Sequence, residues 1–462
     1  MTTIFSWSLL HMKVKNGIIN GAVILGIGAF IAKFLGALYR IPLTNRLGGY
    51  GLGLYQMVFP VYTLLLDFSG AGVPNALSRL IAKEKDPLFS KRLLNSSIKL
   101  FAIFGLLATA FMAIFSYPLA LFQGNDEAKT AYLFLSPAVF LVSLISCFRG
   151  YFQGNMNMRP TAVSQILEQV FKLLLGVFFI NLFYPNVPLC VAGATLAITL
   201  SELVALAYLF FCYKFYNRKN QIYISQNKNF IPDAKSIIKT AFPITLIGVL
   251  IPFSQVVDSF LTINILSKYL PNATVLFGLL SGVVMTVINL PVSVCYGLST
   301  VAVPTVSSCE SVEDAYKNSK KIVWLTLLIT LPCTLFLLLF SPFTINFLFS
   351  GLPIDQKQVA INLLRLCSPI VVLLSLVQVC NSVLIGKGKL YTPVLTLLVG
   401  VIIKIMLNIL LLNTRELNIY GSAIAIIACY FSVCLINLIL IFKKRVKNES
   451  KQTINQRFIY QK

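Results

Sequence analysis

The sequence predicts an all-α integral membrane protein. About 12 transmembrane helices form two parallel six-helix repeats around a central cavity, with both termini cytoplasmic. Three observations carry this reading: an apolar composition, basic residues confined to alternate connections, and similarity between the two halves. Of the 462 residues, 57% are hydrophobic and only 11% are charged, and the mean hydropathy is +0.83. Soluble domains carry roughly 25% charged residues, so a chain of this composition could not cover its apolar surface with a polar coat in water. The net charge of +23 is split among short clusters between apolar runs. A nucleic-acid binder would instead gather it on one wet face.

A bilayer core of about 30 Å needs roughly 20 apolar residues per helix. Apolar runs bounded by Gly, Pro and charge give spans at 17–42, 52–83, 97–122, 128–152, 160–184, 188–214, 236–268, 274–305, 320–349, 357–386, 391–413 and 419–442. With the N-terminus inside, the inner connections hold Lys83 to Arg92, Arg159, Lys214 to Lys235, Lys317 to Lys321, Lys387 and Lys389, and the Lys443-Lys444-Arg445 tail. The outer ones hold only Arg46, Lys129, Lys268, Lys357 and Arg415, as the positive-inside rule requires. The chain thus divides into an N-terminal cytoplasmic tail (1–16), a first half (17–214), a linker (215–235), a second half (236–442) and a basic tail (443–462). Residues 1–11 precede the membrane pattern, which opens well at Met12-Lys13-Val14-Lys15, and they read as an extension with no cleavable signal.

The halves repeat each other. Ser143 and Ser375, Gly154 and Gly386, and Lys172 and Lys404 are each 232 residues apart. Gly53 and Gly278, Gly72 and Gly297, and Phe115-Ser116 and Phe340-Ser341 are 225 apart. A short indel near 350–357 reconciles the two registers. Six helices per copy make the repeats parallel, with Lys172 and Lys404 at matching depths near mid-membrane.

Catalytic chemistry finds little support. The single histidine, His11, precedes the first helix, and no zinc spacing and no GxxxxGK[ST] phosphate loop occur. The ten cysteines lie mostly in apolar runs and read as small buried hydrophobes. No connection is long enough for an outer catalytic domain. The chain reads as a transporter without catalytic chemistry and without a bound cofactor.

Charges inside the spans are the candidate site. Lys33, Arg40, Asp67, Arg149, Glu168, Lys172, Glu202, Asp258 and Lys404 fall within or at the ends of predicted helices, where each costs roughly 2.5–3.5 kcal/mol on insertion scales. Lys33 and Arg40 share a helix face and Arg46 follows at the outer mouth. With Lys172 and Lys404 they would make a cationic wall suited to an anionic substrate, arginine favouring phosphate. Other readings stand beside this. Glu168 and Lys172, at i and i+4, make a self-neutralising pair as readily as a binding pair. Arg149, Lys33 and Arg40 could snorkel to headgroups. Asp67 and Asp258 suit either structural hydrogen bonds or ion coupling, and Pro252 could break the helix before Asp258. Pro60, Pro243, Pro252 and Pro291 suggest bent helices.

Ala37-Leu38-Tyr39-Arg40-Ile41-Pro42-Leu43-Thr44-Asn45 with Gly53-Leu54-Tyr55-Gln56 resembles the opening of the stage V sporulation protein B family. Arg149-Gly150-Tyr151-Phe152-Gln153-Gly154, with Met158, Pro160-Thr161-Ala162, Ser164-Gln165, Glu168-Gln169 and Lys172, resembles its central signature. That family is a polysaccharide-transporter branch of the multidrug/oligosaccharidyl-lipid/polysaccharide superfamily, related to lipid II flippases. The resemblance implies export of an undecaprenyl-diphosphate-linked oligosaccharide, such as a peptidoglycan precursor, across the bacterial cytoplasmic membrane by alternating access. It implies pyrophosphate contacts from Arg40, Arg46 and Lys33, and a sodium site at Asp258 in some relatives. The drive would be a sodium or proton gradient or the membrane potential. The expected partners are the anionic lipid-linked glycan and the phospholipid bilayer, with no nucleic acid, and the chain is expected to be a monomer. Relatives often have fourteen helices, the last two shaping a groove for the lipid tail, whereas twelve spans are read in this sequence. The competing expectation is an ion-coupled multidrug and toxic compound extrusion transporter, which shares the architecture, although interior Lys and Arg would repel cationic drugs.

Overall fold

The computed structural model describes residues 2–84, 86–219, 234–309, 311–389 and 391–443, so the centre of the expected linker and the basic tail beyond Lys443 lie outside the described residues. Among the described residues every regular element is helical. In chain order they are α1 (Thr2–Leu66), a π-helical turn (Asp67–Ala71), α2 (Val73–Glu84), α3 (Pro87–Ile114), α4 (Ser116–Phe122), a short 3-10 turn (Asp126–Ala128), α5 (Lys129–Gly154), α6 (Arg159–Phe183), α7 (Val187–Lys219) and α8 (Ala234–Leu266). They continue with α9 (Ala273–Phe277), a second π turn (Gly278–Val284), α10 (Met285–Ser307), α11 (Val312–Leu339), α12 (Ser341–Leu348), α13 (Ile354–Cys367), α14 (Ile370–Gly386), α15 (Thr392–Leu412) and α16 (Asn418–Phe442).

Among the described residues, ten helical runs are long and apolar enough to cross a bilayer, or eleven when α13 and α14, bent by 47°, count as one broken span. The sequence led to twelve. The difference lies at the start, where Ile24–Glu84 forms one run of 61 residues. At about 1.5 Å per residue that run is roughly three bilayer cores long. It cannot cross straight, and it is broken at Gly48, whose φ of 62° is open to glycine and strained for other residues. Helix α8, by contrast, runs unbroken through Pro252, so the break expected before Asp258 is absent.

The outward faces are those of a membrane protein. Ile103, Leu106, Leu107, Phe111 and Ile114 of α3 and Leu395, Met406 and Leu410 of α15 are exposed side chains that only hydrocarbon would solvate favourably. The interior holds three apolar clusters. The largest joins the two parts of the chain at one end and includes Tyr39 to Tyr62, Met112 to Val139, Ile263 to Val292 and Ile345 to Val371. At the other end there are two separate clusters. One gathers residues of α2, α3, α5 and α7 with Ile237 of α8. The other gathers residues of α10, α11, α14 and α16.

The shared end is tightly sewn. A Cβ at Gly53 would lie 2.1 Å from the Thr274 carbonyl oxygen, and one at Gly278 would lie 2.0 Å from that of Gly49 and 2.5 Å from the Gly53 nitrogen. Backbones touch here, and only glycine allows it. Three residues further on, Gln56 Nε2 donates to the Ser281 carbonyl at 2.7 Å. The flanking contacts are reciprocal. Asn45 of α1 donates to the carbonyl of Leu348, the last residue of α12, at 3.3 Å, and accepts from the Gly351 N–H at 3.1 Å. Asn264 of α8 donates to the carbonyl of Phe122, the last residue of α4, at 3.0 Å. Helix α1 thus clasps the end of α12, and α8 clasps the end of α4.

This seam makes a prediction. Gly53→Ala and Gly278→Ala should each lower thermal stability in detergent by an amount typical of overpacking, about 1–3 kcal/mol. Gly297→Ala, whose added Cβ meets nothing within 4 Å, should leave the unfolding temperature within a degree or two of wild type. Thermal melts of the three purified variants decide it.

Candidate functional site

The charged residues singled out in the sequence fall into two buried clusters and three outlying positions. The first cluster lies among α1, α5, α6 and α7. Pro160 in the first turn of α6 starts that helix without losing a needed donor, and the helix then presents Ser164, Glu168 and Lys172 at four-residue intervals on one face. Arg149 of α5 meets this face. Its NH2 group donates to Glu168 Oε2 at 3.1 Å, and its Nε donates to Ser164 Oγ at 3.1 Å. Gln169 Nε2 donates to the other Glu168 oxygen at 2.8 Å. Glu168 is therefore paired with Arg149 and not with Lys172, and Arg149 turns inward instead of snorkelling.

Lys172 has another environment. Its Nζ lies 5.9 Å from the centre of the Tyr39 ring, with Glu168, Glu202 and Arg40 in electrostatic range. Tyr39 is wedged against Gly176, where a Cβ would come within 2.5 Å of the ring. The Arg40 guanidinium lies over Tyr55 at 5.4 Å, and its buried NH1 has no protein partner, nor has the Tyr39 hydroxyl. Neither Arg40 nor Lys172 forms an ion pair among the described residues, and each rests on the negative face of a tyrosine.

The second cluster joins α8 and α15. Lys404, 8% exposed, places its Nζ 2.6 Å from Asp258 Oδ2 and donates to Ser254 Oγ as well. Asn408, one turn further along α15, donates to Asp258 Oδ1 at 3.1 Å. Two residues expected in different roles, ion coupling for Asp258 and substrate contact for Lys404, are thus one salt bridge. The donors do not suit sodium. The carboxylate is already engaged by an ammonium and an amide, and no group of three or more His, Cys, Asp or Glu residues able to hold a metal exists among the described residues.

The remaining positions lie apart. Lys33 is exposed and reaches from α1 to the Tyr296 ring of α10 at 3.4 Å. Asp67 opens the first π turn, 3.4 Å from where a Cβ on Gly248 of α8 would be. Arg46 faces Tyr184 at 6.0 Å beside a small cleft lined by Pro42, Val177, Ile180 and Asn181. Lys33 and Arg40, seven residues apart on α1, go from exposed to half-buried along one helix face.

The sequence did not single out Ser164, Gln169, Ser254 or Asn408 as site members, nor the tyrosines that face each cation. Asn408 could have been found from its four-residue spacing to Lys404. Tyr39 and Tyr55 stand in the opening motif, but nothing in their spacing marks them as the partners of Lys172 and Arg40.

Known proteins share this architecture. The fold matches an inward-facing multidrug resistance MATE family transporter of the MOP superfamily with a TM-score of 0.72, at 17% identity over 91% of this chain and 97% of that one. It matches the lipid II flippase MurJ in an inward closed conformation with a TM-score of 0.69, at 16% identity over 94% and 96% of the two chains. In sequence, the chain is 31% identical to stage V sporulation protein B of Bacillus subtilis over 309 residues. That match covers 63% of this chain and less than two thirds, 58%, of the relative. It is 26% identical to the lipid II flippase MurJ of the same organism over 463 residues, 93% of this chain and 83% of the relative. The family model described as polysaccharide biosynthesis protein matches residues 18–310, more than half of the sequence, and the chain belongs to that family.

Proposed function

We propose that this multi-pass membrane protein is a flippase that exports an undecaprenyl-diphosphate-linked oligosaccharide, a peptidoglycan precursor or another polysaccharide unit, across the bacterial cytoplasmic membrane by alternating access. The observation that carries the reading is a set of cations that form no ion pair among the described residues. Exposed Lys33 and half-buried Arg40 follow one face of α1, and Lys172 lies close to Arg40. A diphosphate would pair with the Arg40 guanidinium through a charge-assisted hydrogen bond once a side-chain turn frees its buried, unpartnered NH1. Arg46, at the far end of the same helix arm, would receive it next. Relatives named as a lipid II flippase and a sporulation protein, within a polysaccharide biosynthesis family, support this substrate class.

Counting the two arms around Gly48 separately, together with the bent α13/α14 pair, gives the twelve spans that the basic connections require. On that topology the shared apolar core faces outward and the two separate clusters face the cytoplasm. The better match to an inward-facing transporter, 0.72 against 0.65 for an outward-facing one, agrees with that arrangement. The chain would work as a monomer of two six-helix halves. Its drive would be a sodium or proton gradient or the membrane potential, with Asp67 as a coupling candidate.

Complementation tests the function. Expression in a bacterium depleted of its own lipid II flippase should restore growth and outer-leaflet lipid II. No rescue by protein confirmed in the membrane overturns the peptidoglycan assignment. The likeness to a multidrug transporter keeps drug efflux as the second reading, and raised drug resistance without rescue would favour it.

Two mutational outcomes follow. Arg40→Ala and Lys172→Ala should each reduce delivery of the lipid-linked glycan by about tenfold or more, the loss of one charge-assisted hydrogen bond, with membrane insertion unchanged. Full transport by both variants removes the cationic site. Lys404→Ala should act differently, because it strands the Asp258 carboxylate. It should destabilise the protein by about 3–5 kcal/mol, and adding Asp258→Asn should restore most of the thermal stability.

A further inference from the structure

We propose that Glu202 of α7 and Glu168 of α6 form a carboxyl–carboxylate pair that holds one exchangeable proton inside the first half of the chain. Glu202 is only 4% exposed, and its Oε2 has no hydrogen-bond partner. Its carboxyl group is nonetheless within hydrogen-bonding reach of Glu168. Glu168 has both oxygens in use, accepting from Arg149 at 3.1 Å and from Gln169 at 2.8 Å. An ionised carboxylate only accepts hydrogen bonds, so two of them in contact need a proton between them. Glu168 is the better-supported anion because a guanidinium and an amide donate to it. Glu202 therefore carries the proton and donates it toward Glu168.

The groups around the pair set its charge state. Lys172 faces it from α6, Arg149 from α5 and Tyr62 from α1, and Arg40 lies in range of Lys172. With the proton bound, three cations face one anion. Without it, three face two. Glu168, whose side chain is 18% exposed, gives the pair a route to solvent, so the proton can exchange without unfolding the helices. A protonated pair leaves the neighbouring Arg40 and Lys172 more positive and favours an anion there. By linkage, an anion bound there must hold the proton more tightly. This consequence for cargo rests on the proposed function, whereas the proton site does not.

Infrared difference spectroscopy on the full chain in lipid nanodiscs tests the pair directly. Wild type should show a protonated-carboxyl band that shifts in D2O and fades as pH rises. Glu202→Gln, close in shape and uncharged, should lack that band, and Glu202→Asp should retain a displaced one. A wild-type spectrum with no titrating carboxyl band, or a band that persists in Glu202→Gln, overturns the proposal. The linkage is read with a short-chain prenyl diphosphate sugar, a diester whose charge is fixed across the range studied. Its affinity for wild type should weaken by about tenfold as the band fades, and its affinity for Glu202→Gln should be independent of pH. Equal pH dependence in both proteins overturns the linkage. A probe that binds neither protein at any pH counts against the flippase reading and leaves the infrared result to decide the pair.

Discussion

Ionised side chains in a hydrocarbon solvent must be neutralised or held by dipoles, and much of the interior is arranged around that need. Two ion pairs do it with opposite charge. Arg149 and Glu168 tie α5 to α6, and Lys404 and Asp258 tie α15 to α8. The remaining cations use ring faces instead. Lys33, Arg40, Arg46 and Lys172 each lie within 6.0 Å of a tyrosine centroid. A tyrosine face holds a cation without cancelling its charge. The positive potential thus survives burial, which a carboxylate partner would not allow.

The helices carrying these groups are held in place by the glycine seam. Where Gly53 and Gly278 bring two backbones into contact, α1 and the second π turn can approach only in one register. Gln56 and Ser281 fix it with a hydrogen bond between residues 225 apart, the spacing that relates the two halves in the sequence. On the two-repeat arrangement expected from the sequence, residues related by the pseudo-twofold axis would meet only close to that axis. The Asn45 and Asn264 clasps on either side complete a closed end. At the other end, among the described residues, Ile237 of α8 joins the cluster of α2, α3, α5 and α7, while α10, α11, α14 and α16 form a separate one, so relative motion of these two groups would concentrate there.

The sequence made the apolar helices and their order legible, because bilayer thickness acts locally. It was less informative wherever tertiary contact decides. The four-residue spacing of Glu168 and Lys172 allowed a pair within one helix, but Arg149 arrives from α5 and takes Glu168 first. Asp258 and Lys404 lie 146 residues apart, and no local pattern says that α8 and α15 bring them together. A break at Pro252 was a reasonable expectation from local chemistry. The helix continues there because proline removes one backbone donor, a loss that a packed membrane helix tolerates. The sharp break comes instead at Gly48, where the positive φ turns the chain.

The two halves have diverged in how they treat a matched lysine. Lys172 on α6 and Lys404 on α15 are 232 residues apart and occupy corresponding helices. In the second half α8 supplies Asp258, and Lys404 is neutralised. In the register 225 residues earlier, α1 carries Lys33 instead. No acid stands at that position, so the carboxylates near Lys172 come from α6 and α7 instead, and a second cation is added to the same helix as Arg40. The change of sign at this position commits Lys404 to a salt bridge and leaves Lys172 without one, while the first half keeps its own Arg149–Glu168 pair. On the proposed reading the anionic head group is therefore held by the first half. Lys404, with its charge already committed to Asp258, keeps α15 and α8 together while that happens.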